Sequence, residues 1–401
     1  RRRGRWTGTR ASSCSMGGLV GPETRRRRGE YLWPAVSVPD GGSSSDLSFP
    51  HCFRSVYARS RLGVVVAILF VGGLVAGVGG ALVFGPNTGG YDAPRSVYIA
   101  RGATLDTAID SLAQADVLVV PAAFRLVARA TGWGQQIKSG HYRIAPRRSN
   151  YALLDKLRRG LQDPVRITLP PGVQPGALTS VLGRRLERDA DAFRAALRDT
   201  SLAEALDSTP ARLFGYMLPE TYEFYWQTPP EAVVRRVKQG FDRFYERELA
   251  AGADSLGLTK REVVTLASIV EWEALVDAEK PAIAGVYLNR LTRGWPLQAD
   301  PTIQYVLLDT KGARVTRVLY EHLEIDHPYN TYQNQGLPPG PITNPSPSSL
   351  RAAARPERHE YLYFAADGTG GHTFSRTLRE HNRAAEKYQR MLDERRSDGR
   401  P

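Results

Sequence analysis

The chain has 401 residues, of which 42% are hydrophobic and 24% charged, so wholesale disorder is excluded and a packed core is expected. Its two cysteines exclude a disulfide scaffold and any Cys-rich metal module. The formal charge of +13 invites a nucleic-acid reading, and where that charge sits decides its meaning.

The charge is concentrated at one end. Residues 1–61 hold twelve Arg, no Lys and four acids, a net +8, whereas the other 340 residues carry only +5. Both cysteines, Cys14 and Cys52, also lie there. The segment is rich in Ser, Gly and Arg and has no sustained apolar period, which predicts a disordered basic cytoplasmic tail over 1–61. The arginine run 25–28 could touch nucleic acid or anionic lipid, but a solvated tail is the simpler reading. A surplus of +5 over 340 residues is no nucleic-acid footprint, so no nucleic-acid partner is expected.

Residues 62–84 form a stretch of 23 without a charge. A helix needs about 20 apolar residues to cross a bilayer, which predicts one transmembrane helix here and the lipid bilayer as a partner. Arg54, Arg59 and Arg61 precede the span; the first charges after it, Asp92 and Arg95, cancel. The positive-inside rule then places the N-terminus in the cytoplasm and residues 85–401 outside, in a single-pass plasma (inner) membrane protein. A cleaved signal has a shorter apolar region, about 7–15 residues. Gly73 and Gly77 have the spacing of a helix-pairing face, although glycine is common in membrane helices generally. The exported part has no cysteine, so no disulfide is available there.

Residues 85–94 (GPNTGGYDAP) read as a linker. Strands are expected at 96–100, 141–144 and 165–169. Between them, Thr104 caps a helix running to about 115, Pro121 opens a second ending before Gly132, and Ser149 or Asn150 caps a third closed by Gly160. The result is a small α/β unit over 95–164, either an ordinary module or a sugar-binding one. A larger mixed α+β region is expected over 165–395, with a tail at 396–401, giving an α+β fold overall.

In that larger region, 178–197 and 231–249 have helical period, and 259–278 (TKREVVTLASIVEWEALVDA) is a mostly apolar helix. Thr259 with Glu262 has the spacing of a capping box. Glu271 and Glu273 interrupt the apolar run; at about 100° per residue they point roughly 200° apart and serve different faces. Glu273 shares a stripe with Leu266, Ile269, Val270 and Val276. A carboxylate so placed is either paired or held with a raised pKa, and a raised pKa suits a general acid at neutral pH. A structural Glu bonded to buried backbone fits the same pattern.

Residues 329–345 are too dense in Pro and Gly for regular structure. Rigid polar loops with aromatics suit carbohydrate; a plain surface loop is the alternative. A strand at 361–365 is followed by a turn into an extended stretch over 367–375, whose glycines lack the Lys-Ser/Thr of a phosphate loop. The seven histidines show no His-Glu-x-x-His, there is no Gly-x-Ser-x-Gly, and no cysteine follows the span. No metal or cofactor is expected. Carboxylate chemistry on something outside the cell remains.

Several stretches together resemble the endolytic murein transglycosylases of the MltG/YceG type. They are Ala267-Ser-Ile-Val-Glu271-Trp-Glu273, Val286-Tyr-Leu-Asn-Arg290 with Leu297-Gln298-Ala-Asp300-Pro301-Thr302, and Gly215-Tyr-Met-Leu-Pro219-Glu-Thr221-Tyr222. Tyr329 to Tyr332, Gly336 to Pro345, Gly370-Gly-His372-Thr-Phe374 and Glu380-His381-Asn382 continue the match, which covers roughly 95–390. The resemblance implies a LysM-like subdomain at about 95–145, a catalytic domain after it, and peptidoglycan synthases as partners. It implies cleavage of MurNAc–GlcNAc β-1,4 bonds inside nascent glycan strands without water, leaving a 1,6-anhydroMurNAc end. It assigns Glu273 as the acid/base, with Glu271, Gln298, Asp300, Asn330, Tyr332 and His372 as candidates for holding sugar or supporting the acid. The chain departs from the family pattern at Pro171, Phe214, Trp272, Ala274, Pro328 and Ser346. Two rivals stay open at this point: a hydrolysing muramidase with Asp300 as second carboxylate, and a non-catalytic wall-binding scaffold.

Overall fold

A computed structural model describes residues 54–397, with side chains from 61 to 394. Expectations for the rest of the tail, including both cysteines and the arginine run, lie outside the described residues.

Helix α1 (Arg54–Phe84) contains the apolar span, which covers Arg61–Phe84. Every side chain from 61 to 78 is exposed, and the helix is long and apolar enough to cross a membrane.

The small region follows. Strands β1 (Arg95–Ile99) and β2 (Gly140–Ile144) pair antiparallel, from Arg95 opposite Ile144 to Ile99 opposite Gly140. Helices α2 (Leu105–Gln114), α3 (Pro121–Ala130) and α4 (Asn150–Arg159) pack on them. The expected caps are present: Thr104 accepts from the Thr107 N–H and Ser149 from the Ala152 N–H. Val97, Ile99, Leu112, Phe124, Tyr142 and Leu154 form the core. Residues 85–94, expected to be a linker, are instead tied to this core at one end. Asn87 is buried, its amide donates to the Val120 carbonyl and to Asn150 Oδ1, and its Oδ1 accepts from the Val120 N–H. Composition marked a turn-rich segment and could not show that the Asn87 side chain makes three hydrogen bonds, to Val120 and Asn150.

In the larger region β3 (Val165–Thr168) pairs antiparallel with β4 (Thr221–Phe224). Around this ribbon lie α5 (Pro175–Gly183), α6 (Ala190–Arg198), the short α7 (Thr200–Glu204) and α8 (Pro210–Leu213), and α9 (Pro230–Phe244), which runs into a π-turn at Tyr245–Leu249. The single helix expected over 178–197 is two. A Cβ on Gly183 would lie 2.5 Å from the Ala190 nitrogen, so the glycine lets the chain double back, and Asp189 caps α6.

The second core surrounds one helix. After α10 (Ala250–Leu256) comes α11 (Lys260–Glu273), flanked by α12 (Lys280–Thr292), α13 (Asp300–Lys311), the one-turn α14 (Tyr320–Leu323) and α15 (Pro347–Ala354). Strands β5 (Tyr363–Ala366) and β6 (His372–Ser375) form a hairpin, and α16 (Leu378–Ser397) closes the described chain. Every residue from Val263 to Val270 is buried, which explains why α11 shows no clear amphipathic stripe. Its capping box is present. Its end is not where the apolar pattern placed it: Ala274 is extended, Leu275 is 87% exposed and the helix stops at Glu273 rather than near 278. Apolar residues beyond an extended Ala continue the pattern without continuing the helix.

Candidate active site

Glu273 is therefore the last residue of a buried helix, a position that delivers its side chain to the edge of the core. Tyr287 and Arg290, three apart on neighbouring α12, share a face and meet it. The Tyr287 hydroxyl donates to Glu273 Oε2 at 3.2 Å. Together they floor a cleft of about 370 Å³ whose walls include Gln298, Asp300, Tyr332, Tyr363 and His381.

The loop after α12 builds one wall. Gln298 has φ +48°, a left-handed conformation uncommon for a residue with a side chain, and its N–H is fixed by the Thr331 carbonyl at 3.1 Å. Asp300 opens α13 and accepts from the Tyr332 hydroxyl at 2.6 Å. Arg290 is buried by its own bonds: Nε donates to the Leu362 carbonyl and Nη1 to the Leu297 carbonyl, both at 2.7 Å. It also lies over the Tyr363 ring.

These surroundings set the chemistry of Glu273. Burial pushes its carboxyl up to about 7, and the Asp300 carboxylate adds in the same direction; the Tyr287 hydroxyl bond, His372 and Arg290 pull against them. Burial also raises the Tyr287 and Tyr332 hydroxyls, so both stay protonated as donors. Burial and nearby Arg290 hold His381 below its ordinary value, as a neutral imidazole. His381 stacks on Tyr363 and lines the cleft, and its buried Nδ1 has no hydrogen-bond partner.

Of the residues picked from sequence, Glu273, Gln298, Asp300 and Tyr332 meet in this cleft. Glu271, Asn330 and His372 do not line it. Glu271 points to the other side of α11, where Oε2 accepts from the Ser346 N–H and hydroxyl, the Ser349 hydroxyl and Lys280 Nζ. Asn330 is fully buried; its amide donates to the Leu323 and Ile325 carbonyls and its Oδ1 accepts from the Tyr332 N–H. It shapes the loop that presents Tyr332. The His372 ring and N–H are both bound to Glu279. Tyr287, Arg290, Tyr363 and His381 were not picked. The visible signal was that Tyr287, Arg290 and His381 lie inside stretches already matched to the family. Two departures from the family pattern are put to use: Trp272 Nε1 donates to the Gly172 carbonyl, and Ser346 holds Glu271.

Among the described residues no grouping of three or more His, Cys, Asp or Glu could hold a metal ion. The arrangement is a carboxyl group with its pKa raised to about 7 at the floor of an aromatic, hydroxyl-lined cleft, with a second carboxyl group in its wall. The profile of the YceG-like family matches residues 97–387. The chain belongs to the YceG-like family. It is 31% identical over 335 residues to the endolytic murein transglycosylase of Bacillus subtilis (strain 168), covering 78% of this chain and 91% of that protein. To the endolytic murein transglycosylase of Streptococcus pneumoniae (serotype 2, strain D39) it is 30% identical over 266 residues, 59% of this chain and 48% of the relative, about half that protein's length. A solved yceG-like protein from Listeria monocytogenes superposes with a TM-score of 0.51 at 26% identity, over 73% of this chain and 99% of that one. The mixed α+β architecture is therefore shared with a YceG-like relative.

Proposed function

We propose that this YceG-like chain is a membrane-anchored endolytic peptidoglycan lytic transglycosylase. The observation that carries the reading is Glu273, a carboxyl kept protonated near neutral pH by burial at the floor of a sugar-sized cleft. The names of its relatives support the same substrate class.

Glu273 donates its proton to the glycosidic oxygen between MurNAc C1 and GlcNAc O4. The C1–O4 bond breaks, and positive charge develops at C1 and its ring oxygen. Asp300, in the wall and held by Tyr332, is placed to stabilise that charge. The Glu273 carboxylate then takes the proton from the MurNAc 6-hydroxyl as O6 bonds to C1. The acid is regenerated, no water enters, and one carboxylate serves both steps where glycoside hydrolases use a pair. The Tyr287 hydroxyl bond stabilises the carboxylate formed between the two proton transfers.

Residues 62–84 anchor the chain in the plasma membrane with the N-terminus cytoplasmic, residues 95–164 act as a LysM-like subdomain, and 165–395 form the catalytic domain. The arginines before the span support the orientation, and the family resemblance supports the subdomain and synthase partners. Because Asp300 faces the same cleft, hydrolysis is the second reading. Mass analysis of digested uncrosslinked strands tests both. Anhydro ends, one water lighter than reducing ends, support the lyase; reducing ends mean hydrolysis, and no cleavage means a wall-binding protein.

A further inference from the structure

A groove of about 730 Å³ lies between α9 and the β3–β4 ribbon and shares no lining residue with the Glu273 cleft. On α9, Arg236, Gly240 and Arg243 recur at intervals of four and three and so share one face. Gly240 leaves that face open between the two guanidinium groups and sits close over Tyr222: an added Cβ would be 3.4 Å from the Tyr222 hydroxyl. Across the groove stand Arg166, Glu220 and Glu223.

Charge pairing here is incomplete. Arg166 pairs with Glu223 at 2.9 Å and Arg247 with Glu248 at 2.7 Å. Among the described residues, Arg236 and Arg243 have no carboxylate partner, Arg236 lying over the Phe224 ring, and Glu220 has no cationic partner. A single unpaired surface arginine is ordinarily just hydrated. Two on one helical face, over a concavity with a free carboxylate opposite, form a pattern that a ligand can match. Seven helical residues span about 10 Å, so the guanidinium groups are roughly that far apart. An extended peptide rises about 3.4 Å per residue, so carboxylates about three residues apart would meet both arginines.

The groove continues. A second depression of about 480 Å³ shares Arg166 and Glu223 with the first and adds Tyr98, His141, Arg143 and Arg185. Tyr98, 44% exposed, stacks on His141 at 4.7 Å and leans against Trp226 at 5.1 Å, giving an aromatic platform at that end.

We infer that this groove binds the peptide stems of peptidoglycan: short peptides with two carboxylates about three residues apart and an ammonium between them. Arg236 and Arg243 take the carboxylates and Glu220 the ammonium. This rests on the reading in which the substrate is peptidoglycan, and it adds recognition of the peptide to cleavage of the glycan. An anionic lipid surface offers phosphates in a plane, which a recessed groove does not meet and Glu220 repels.

The probe is N-acetyl-L-Ala-γ-D-Glu-L-Lys-D-Ala-D-Ala, whose free carboxylates sit on its second and fifth residues with the Lys ammonium between them, titrated calorimetrically into the full-length chain in detergent; it carries no glycosidic bond, so binding is read without turnover. The peptide binds, the double variant Arg236→Glu/Arg243→Glu weakens it by about tenfold or more, and the double Lys variant keeps most of the affinity. With active enzyme, the Glu double variant cleaves peptide-free glycan at the unaltered rate and peptide-bearing strands more slowly. Unchanged peptide affinity in the Glu double variant, equal slowing on both strands, or a loss confined to binding phosphatidylglycerol vesicles each overturns the inference. If the unaltered chain cleaves nothing, the activity reading fails, and the calorimetry still decides the groove.

Discussion

Glu271 and Glu273 are two residues apart on one helix and live in opposite environments. Glu271 accepts from two hydroxyls, a backbone N–H and Lys280, whose ammonium also pairs with Asp277 at 2.7 Å. It ties the end of α11 to the starts of α12 and α15. Glu273 has one protein hydrogen bond, from Tyr287, together with burial and a nearby like charge. A carboxylate surrounded by donors holds elements together; a buried one with a single donor is left able to keep and give up a proton. The helical offset of about 200° is what separates the two roles.

Four substitutions should widen or collapse that contrast. Glu273→Gln should have the largest effect, lowering kcat about a thousandfold while the fold persists. It should also reveal a stability cost. The folded-state pKa of about 7 lies above the ordinary 4.5, so the penalty is absent below about pH 4.5, grows between 4.5 and 7, and is complete above. Thermal melts should therefore find the Gln variant more stable than the unaltered chain at pH 8, by on the order of 3 kcal/mol, and equal to it at pH 4. Glu271→Ala should do the reverse. It leaves buried Lys280 with only Asp277 as a carboxylate partner and should cost about 3 kcal/mol in a denaturant titration, with activity per folded molecule largely kept.

Asp300→Asn removes a charge that raises Glu273, so the alkaline limb of the kcat/KM profile should move down by about half a unit or more, with cleavage reduced about tenfold. A loss of a thousandfold or more there would instead mark Asp300 as the second carboxylate of a hydrolase. The smallest effect is expected for Tyr287→Phe. Its hydroxyl favours the carboxylate, so its removal should move the same limb up, by less than about one unit.

How much of this was readable from sequence follows from where the information lies. Local signals were enough for Thr104, Ser149 and the Thr259–Glu262 box, because a cap depends on three or four successive residues. The break after Gly183 and the stop at Glu273 depend on contacts with Ala190 and on an extended Ala274, which apolar period does not record. Glu273 stood out as an acid in a mostly apolar run. Its partners come from α12, from the 297–300 and 329–332 loops, from β5 and from α16, and no spacing rule joins residues so far apart. Asn330 and His372 were picked for their type, yet the direction of a loop side chain is set by tertiary partners: Ile325 and Leu323 carbonyls for one, Glu279 for the other.

Glu273 holds its proton to near-neutral pH because of where α11 ends. Titration of its carboxyl carbon by 13C NMR, in the full-length chain labelled at Glu and assigned by the resonance missing in Glu273→Gln, measures this directly. The midpoint is expected near 7. A midpoint near the ordinary 4.5 would contradict it.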